Sequence, residues 1–259
     1  MPAESLDEMF ARTLYGDYDS DAPWEAVSAL RKLGNREVFE RAAAWCSSQE
    51  PLERARGADV LAQIGRTAEH HSNSFPDESF GVVSAMLTRE TETLPLLAAI
   101  HALGHIGDTR AVRLLVQYGS HPHEDVRFAV ATALGNFPDD PLAVPVLIQL
   151  TADTDSEVRD WATFGLGVLG RGDSPEIRDA LAARLNDSCD DAREEAMIGL
   201  AKRRDRRVLS PLISSLEAAT VPDRAIEAAG EMLGLGDDGD DEEWTGSDYA
   251  TGLRKKFGV

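Results

Sequence analysis

Cysteine is nearly missing: Cys46 and Cys189 are the only two in 259 residues. Two thiols do not make a disulfide framework, and a chain of this length does not need one. Lysine is almost as scarce, at Lys32, Lys202, Lys255 and Lys256. No apolar run approaches the roughly 20 residues of a membrane span, and the opening MPAESLDEMFARTLYGDYDSDAP carries no apolar signal core. These absences predict a cytoplasmic protein with no membrane partner. Strand-like alternation and Asn-Gly hairpin signals are also missing, so the expected fold is all-α. GxSxG, P-loop, HExxH and CxxC motifs do not occur. Gly165, Gly167 and Gly170 reproduce the glycine spacing of a dinucleotide motif, but with no strand before them. No catalytic residue, metal or cofactor is therefore expected.

What is abundant is acid. Asp and Glu number 46 against 26 Lys and Arg, a formal charge of −20. Such a field repels phosphate backbones, which require cation-rich surfaces. It argues against a nucleic-acid partner and favours a basic protein. The same balance of Arg over Lys and acid over base also suits a salt-adapted or GC-rich host.

One phrase recurs along the chain: an acidic turn, Val-Arg or a similar pair, small residues, then Leu-Gly. Its anchors are Arg54, Leu96, Arg127, Arg159, Arg193 and Ile226. After a first step of 42 residues the spacing is 31 to 34, enough for two helices and two turns. The long step is explained by an inserted surface loop, RTAEHHSNSFPDE, at 66–78. A degenerate first copy, PWEAVSALRKLG, occupies 23–34.

In the clearest copy DPLAVPVLIQLTAD is helix A and DSEVRDWATFGLGVLG is helix B. Val158, Ala162, Leu166 and Leu169 recur at three or four residues and form one apolar stripe. Asp155 can cap the helix, Glu157 complements its dipole, and Gly170 suits its end. Pro141 and Pro145 fall in the first turns of helix A, where a missing amide costs little. Ala129, Ala162, Ala196 and Ala229 allow close helix approach. A single pair cannot bury its stripe, so the pairs are expected to stack as a one-dimensional array.

This phrase resembles the HEAT-like repeat first named from phycobilin lyases, over roughly residues 22–236. DSEVRDWATFGLGVLG, SPEIRDAL, EEAMIGLAKRRDRRVLSPL, IEAAGEMLG and the WCSS at 45–48 are similar to enterobacterial HEAT proteins of the Rhs loci. The resemblance implies a HEAT-like α-solenoid at 1–236, a right-handed superhelix of about six helical pairs with helices B on the inner face. It also implies a toxin-neutralising role, since proteins encoded beside Rhs toxins are often their immunity proteins. The tail, 237–259, departs from the repeat and is expected to be an acidic, partly disordered segment or a short capping helix.

In the repeat frame Arg54, Arg127, Arg159 and Arg193 share one position and are expected to form an internal ladder, each fork bridging to an acid or carbonyl next door. The polar sides of helices B carry Asp59, His101, Phe128, Asp160, Trp161, Phe164 and Glu194, the expected partner-binding face. Trp161 stands where flanking copies hold Ala129 and Glu195, and exposed tryptophans are enriched at binding hot spots. The basic run Lys202 to Arg207 falls at a helix end, where cations complement the dipole. It could also pair with Asp237, Asp238, Asp240, Asp241, Glu242 and Glu243, which lack the spacing of a calcium loop. His70, His71, His121 and His123 match no zinc pattern.

The expected function is a non-catalytic scaffold that binds a basic protein, in its sharpest form a toxin. The alternative is a HEAT-repeat enzyme or chaperone of the bilin-lyase or DNA-glycosylase type. A glycosylase needs a basic groove, where this sequence supplies acid.

Overall fold

The computed structural model describes residues 4–235 and 244–259. Among them every regular element is helical. The acidic run at 237–243 lies outside the described residues. The chain divides into two compact units, Met1–Asn136 and Phe137–Val259.

The first unit holds α1 (Leu6–Arg12), α2 (Asp21–Leu33), α3 (Arg36–Trp45), α4 (Pro51–Ala62), α5 (Pro76–Leu87), α6 (Thr93–Ile106), α7 (Val112–Leu115) and α8 (Glu124–Leu134). The second holds α9 (Ala143–Leu150), α10 (Ser156–Phe164), α11 (Pro175–Arg184), α12 (Asp190–Lys202), α13 (Leu209–Leu216), α14 (Asp223–Leu233) and α15 (Gly246–Phe257). In the first unit α2, α4, α6 and α8 stack in that order, with α3 and α5 packed on α4 and α6. In the second, α10, α12, α14 and α15 stack likewise, over α9, α11 and α13. Each unit is thus a run of α-solenoid, built from neighbour-to-neighbour contacts.

Local chemistry sets the helix limits. Asp155 accepts from the amides of Glu157 (2.9 Å) and Val158 (3.0 Å), satisfying two orphan donors of α10. Pro51, Pro76 and Pro175 open α4, α5 and α11. Stacking depends on small residues. Ala129, Ala162, Ala196 and Ala229 are all fully buried. A Cβ on Gly104 would stand 2.8 Å from Ala133 Cα, so α6 and α8 touch backbone to backbone. A Cβ on Gly199 would stand 2.6 Å from Gly167 Cα, where α12 meets the end of the preceding helix.

Three sequence expectations are corrected. Leu169, placed in the apolar stripe, is 44% exposed, while Val158 and Leu166 are buried. The cause is a π-helical turn at Gly165–Leu169, closed by the Gly170 amide on the Gly165 carbonyl (2.9 Å). The wider turn changes the angular step and rotates Leu169 out of register. The insertion ends earlier than 78, because Pro76 starts α5. Its last stretch is held by Asn73, which is buried, donates to the Leu61 carbonyl (2.8 Å) and accepts from the Phe75 amide (2.8 Å). Pro141 lies ahead of α9, and only Pro145 falls in its first turn.

Candidate functional site

The repeated arginines come first, because they fix the turns from which helices B start. Arg159 donates through Nη1 to the carbonyls of Asp153 (3.0 Å) and Thr154 (3.1 Å), just before its own helix. Its Nε and Nη2 grip the carboxylate of Asp187, just before α12. Arg54 repeats the design on the carbonyls of Ser48 and Gln49 and on the carboxylate of Glu90. Arg127 donates to the carbonyls of His121 and Pro122, and Arg193 to the Asp187 carbonyl and the Asp190 carboxylate. A planar fork that bonds two acceptors at once suits this task, and a lysine would not replace it.

In the second unit α10 carries Asp160, Trp161 and Phe164, and α12, packed on it, carries Glu194. Trp161 is 41% exposed and meets Phe164 edge to face, with centroids 5.8 Å apart. Asp160 and Glu194 are half-buried. Beside them Glu195 is 5% exposed, its Oε1 2.8 Å from Arg224 Nη2. Glu195 Oε2 and Asp160 Oδ1 are buried and make no hydrogen bond. Desolvation raises the Asp160 carboxyl to about 6, with Asp191 adding repulsion. Desolvation likewise raises Glu195 to about 7, against the pull of Arg224. Two carboxyls short of partners would gain from an added cation.

In the first unit the sequence-derived residues have different surroundings. His101 and Phe128 meet at 6.3 Å between centroids, and His101 Nδ1 lies 3.4 Å from Thr132 Oγ1. Asp59, expected on an open polar face, is buried instead. Its Oδ2 accepts from the Tyr18 hydroxyl (2.7 Å) and from Arg56 Nη1 (3.2 Å). The physical reason is Arg56, which sequence reasoning missed. This fully buried guanidinium lies over Tyr18 (4.0 Å) and Trp24 (5.0 Å) and donates to the carbonyls of Thr13 and Tyr18. A buried cation demands a buried anion, and Asp59 is the one in reach. The signal was available: Arg56 occupies the repeat slot of Ala98, Ala129 and Ala228.

Comparison with known proteins agrees with this architecture. Residues 82–167 match the family model for HEAT repeats. Protein YibA of Escherichia coli K12 is 30% identical over 232 residues, covering 87% of this chain and 80% of YibA. The chain belongs to the YibA family of HEAT-repeat proteins. The X-ray structure of Escherichia coli YibA superposes with a TM-score of 0.76 at 26% identity, over 97% of this chain and 93% of that one. A phycocyanobilin lyase alpha subunit from Nostoc is 27% identical over 167 residues, 64% of this chain and 60% of the subunit.

In this YibA-family chain the basic run is absorbed by the fold. Arg203 is buried and donates to the carbonyls of Leu166, Gly167, Gly170, Gly172 and Gly199, the first two of them in the π turn. Lys202, Arg204 and Arg206 each donate to a main-chain carbonyl, and Arg207 pairs with Asp205 and Asp179. His121 Nδ1 accepts from the His123 amide, and His123 Nδ1 from the Asp125 amide, so both serve the start of α8. Burial pushes the Cys46 thiol up to about 12. Among the described residues no three His, Cys, Asp or Glu side chains come together as a metal site, and no helix is long and apolar enough to cross a membrane.

Proposed function

We propose that this chain is a non-catalytic scaffold that binds a basic protein through the acidic-aromatic face of α10 and α12. The observation that carries the reading is the exposed Trp161 next in the chain to Asp160, whose carboxyl, like that of Glu195 within its field, is incompletely satisfied. An exposed aromatic anchor ringed by carboxylates suits a lysine or arginine, whose stem packs on the ring while its head meets the acid. The overall charge of −20 would speed the approach of such a partner. In its finer form the partner is a secreted toxin and this chain its immunity protein, a reading supported by the resemblance to the Rhs-locus HEAT proteins. The test is capture from the native host with a photo-crosslinking residue in place of Trp161. The expected result is a crosslink from that position to a basic protein. Recovery of nucleic acid, or of a partner whose contacts avoid α10 and α12, overturns the reading.

The second reading, an enzyme or chaperone of the bilin-lyase type, is supported by the 27% identity to the Nostoc lyase subunit. Incubation with phycocyanobilin separates the two. A stoichiometric bilin absorbance on the purified chain would favour the second reading over the first.

A further inference from the structure

The first unit forms a partly open cavity of about 370 Å³ between α2, α4 and α6. Along α6 it is lined by Leu94, Leu97, His101 and His105, spaced three or four residues apart, so one helix face supplies first two aliphatic and then two imidazole side chains. Trp24 and Arg31 line it from α2, and Asp59 and Ala62 from α4.

Two arginines at this cavity are bonded differently from those of the ladder. Arg31 donates to the Asp59 carbonyl through Nε (2.9 Å) and Nη2 (2.7 Å), and to Gln63 Oε1 (3.3 Å). Arg66, beside the cavity, donates to the His105 carbonyl (2.7 Å), and its Nε is buried without an acceptor. Neither guanidinium has a carboxylate partner among the described residues, whereas Arg54 and Arg159 each hold one. Asp59 is already engaged by Arg56 and Tyr18, and Asp19 is an exposed residue of the lining. Arg31 and Arg66 hold the exposed His105 below its ordinary range, after burial has lowered it. Burial and His105 bring the deeper His101 down to about 4. From α8 Phe128 and Thr132 approach His101, and neither carries charge. A pocket with guanidinium groups that hold no carboxylate ion pair at one end and hydrocarbon at the other is complementary to an amphipathic anion.

We propose that this cavity binds a small organic acid, its carboxylate between Arg31 and the His101–His105 pair and its apolar body against Trp24, Leu94 and Leu97. The volume lies at the lower end of small-molecule sites. Bound anion would raise the affinity of both imidazoles for protons, so binding tightens as pH falls below neutrality. This site does not depend on the α10–α12 face, and each proposal can fail alone.

Calorimetric titration of the full chain with 3-phenylpropionate, 3-phenylpropionamide and 3-phenylpropylamine tests it. The acid should bind one per chain, at least about tenfold tighter than the amide or amine, and should shift the His101 and His105 ring resonances. Arg31→Gln should reduce the acid to the level of the amide. Leu97→Trp should fill the cavity and abolish binding, and it carries the test should Arg31→Gln fail to fold. Equal or tighter binding of the amine, no heat from the acid at millimolar concentration, or undiminished binding to Leu97→Trp overturns the proposal.

Discussion

Arg159 and Asp187 form a two-pronged ion pair, Nε to Oδ2 at 2.9 Å and Nη2 to Oδ1 at 2.8 Å. The same guanidinium holds the turn ahead of its own helix, so one side chain sets the spacing of two successive helix starts. Asp187 is 4% exposed at its side chain and keeps only Arg184 and the Cys189 amide (3.0 Å) if Arg159 is lost. Arg159→Ala should therefore cost about 1–3 kcal/mol through acceptors left buried and unpaired. Urea denaturation measures it. An unchanged midpoint would remove the structural role assigned to this arginine.

Asp187 also predicts an acid limit. The hydrogen bonds from Arg159 lead in lowering its carboxyl from 3.8 to about 2. The folded state thus holds this proton less tightly than the unfolded chain. The resulting stability is full above the ordinary carboxylate range and is lost as pH falls from about 4 through about 2. Asp205, lowered to about 2 chiefly by Arg207, adds to the same window. Asp187→Asn should be less stable at neutral pH and show a shallower fall of stability between those limits. A parallel profile for the variant and the parent would refute the assignment.

Glu195 predicts the opposite slope. Its carboxyl is raised to about 7 by burial, so the folded state binds this proton more tightly than the unfolded chain does. Its stability contribution is present at pH 4 and declines as pH rises towards 7. Glu195→Gln should remove that decline and gain on the order of 1 kcal/mol above pH 7, after the loss of the half-exposed Arg224 contact. Melting temperatures from pH 4 to 8 check this. A variant less stable than the parent at pH 8 would show that the ion pair with Arg224 dominates instead.

Close backbone approach predicts intolerance at two glycines. Gly199→Ala would place a methyl 2.6 Å from Gly167 Cα, and Gly104→Ala would place one 2.8 Å from Ala133 Cα. Rigid backbone stands on the far side in both cases, so each should destabilise by about 1–3 kcal/mol through overpacking. Gly230, where an added Cβ meets nothing, is the control. There Gly230→Ala should stabilise slightly by favouring the helix, by at most about 1 kcal/mol. Thermal melts of the three variants decide it.

The repeat made the helix pairs legible in the sequence, because its period and its Leu-Gly and Ala positions are the contacts that stack them. What escaped was set by pairing across the fold. Asp59 reads as a surface carboxylate until Arg56 is seen buried beside it with Tyr18 and Trp24. Leu169 reads as core until the π turn shifts its register. Arg203 looks like one more cation in a basic run, and only the folded chain shows its five main-chain acceptors. Trp161 stood out as an aromatic in a slot otherwise small or charged, and it is exposed.

Trp161 therefore carries the prediction on binding. It is an exposed ring braced edge-on by Phe164, next in the chain to half-buried Asp160, with half-buried Glu194 on the adjacent α12. If a basic partner docks here, Trp161→Ala should raise the off-rate, with a loss of about 2 kcal/mol or more for a desolvated anchor. Asp160→Lys combined with Glu194→Lys should act on the on-rate instead, because steering depends on the field met during approach. Added salt should slow association of the parent and have less effect on the double variant, since screening removes what the mutations have already removed. Surface plasmon resonance with the captured partner separates the two rates. Equal on-rates for parent and double variant across salt concentrations would place the partner's contact elsewhere on the molecule.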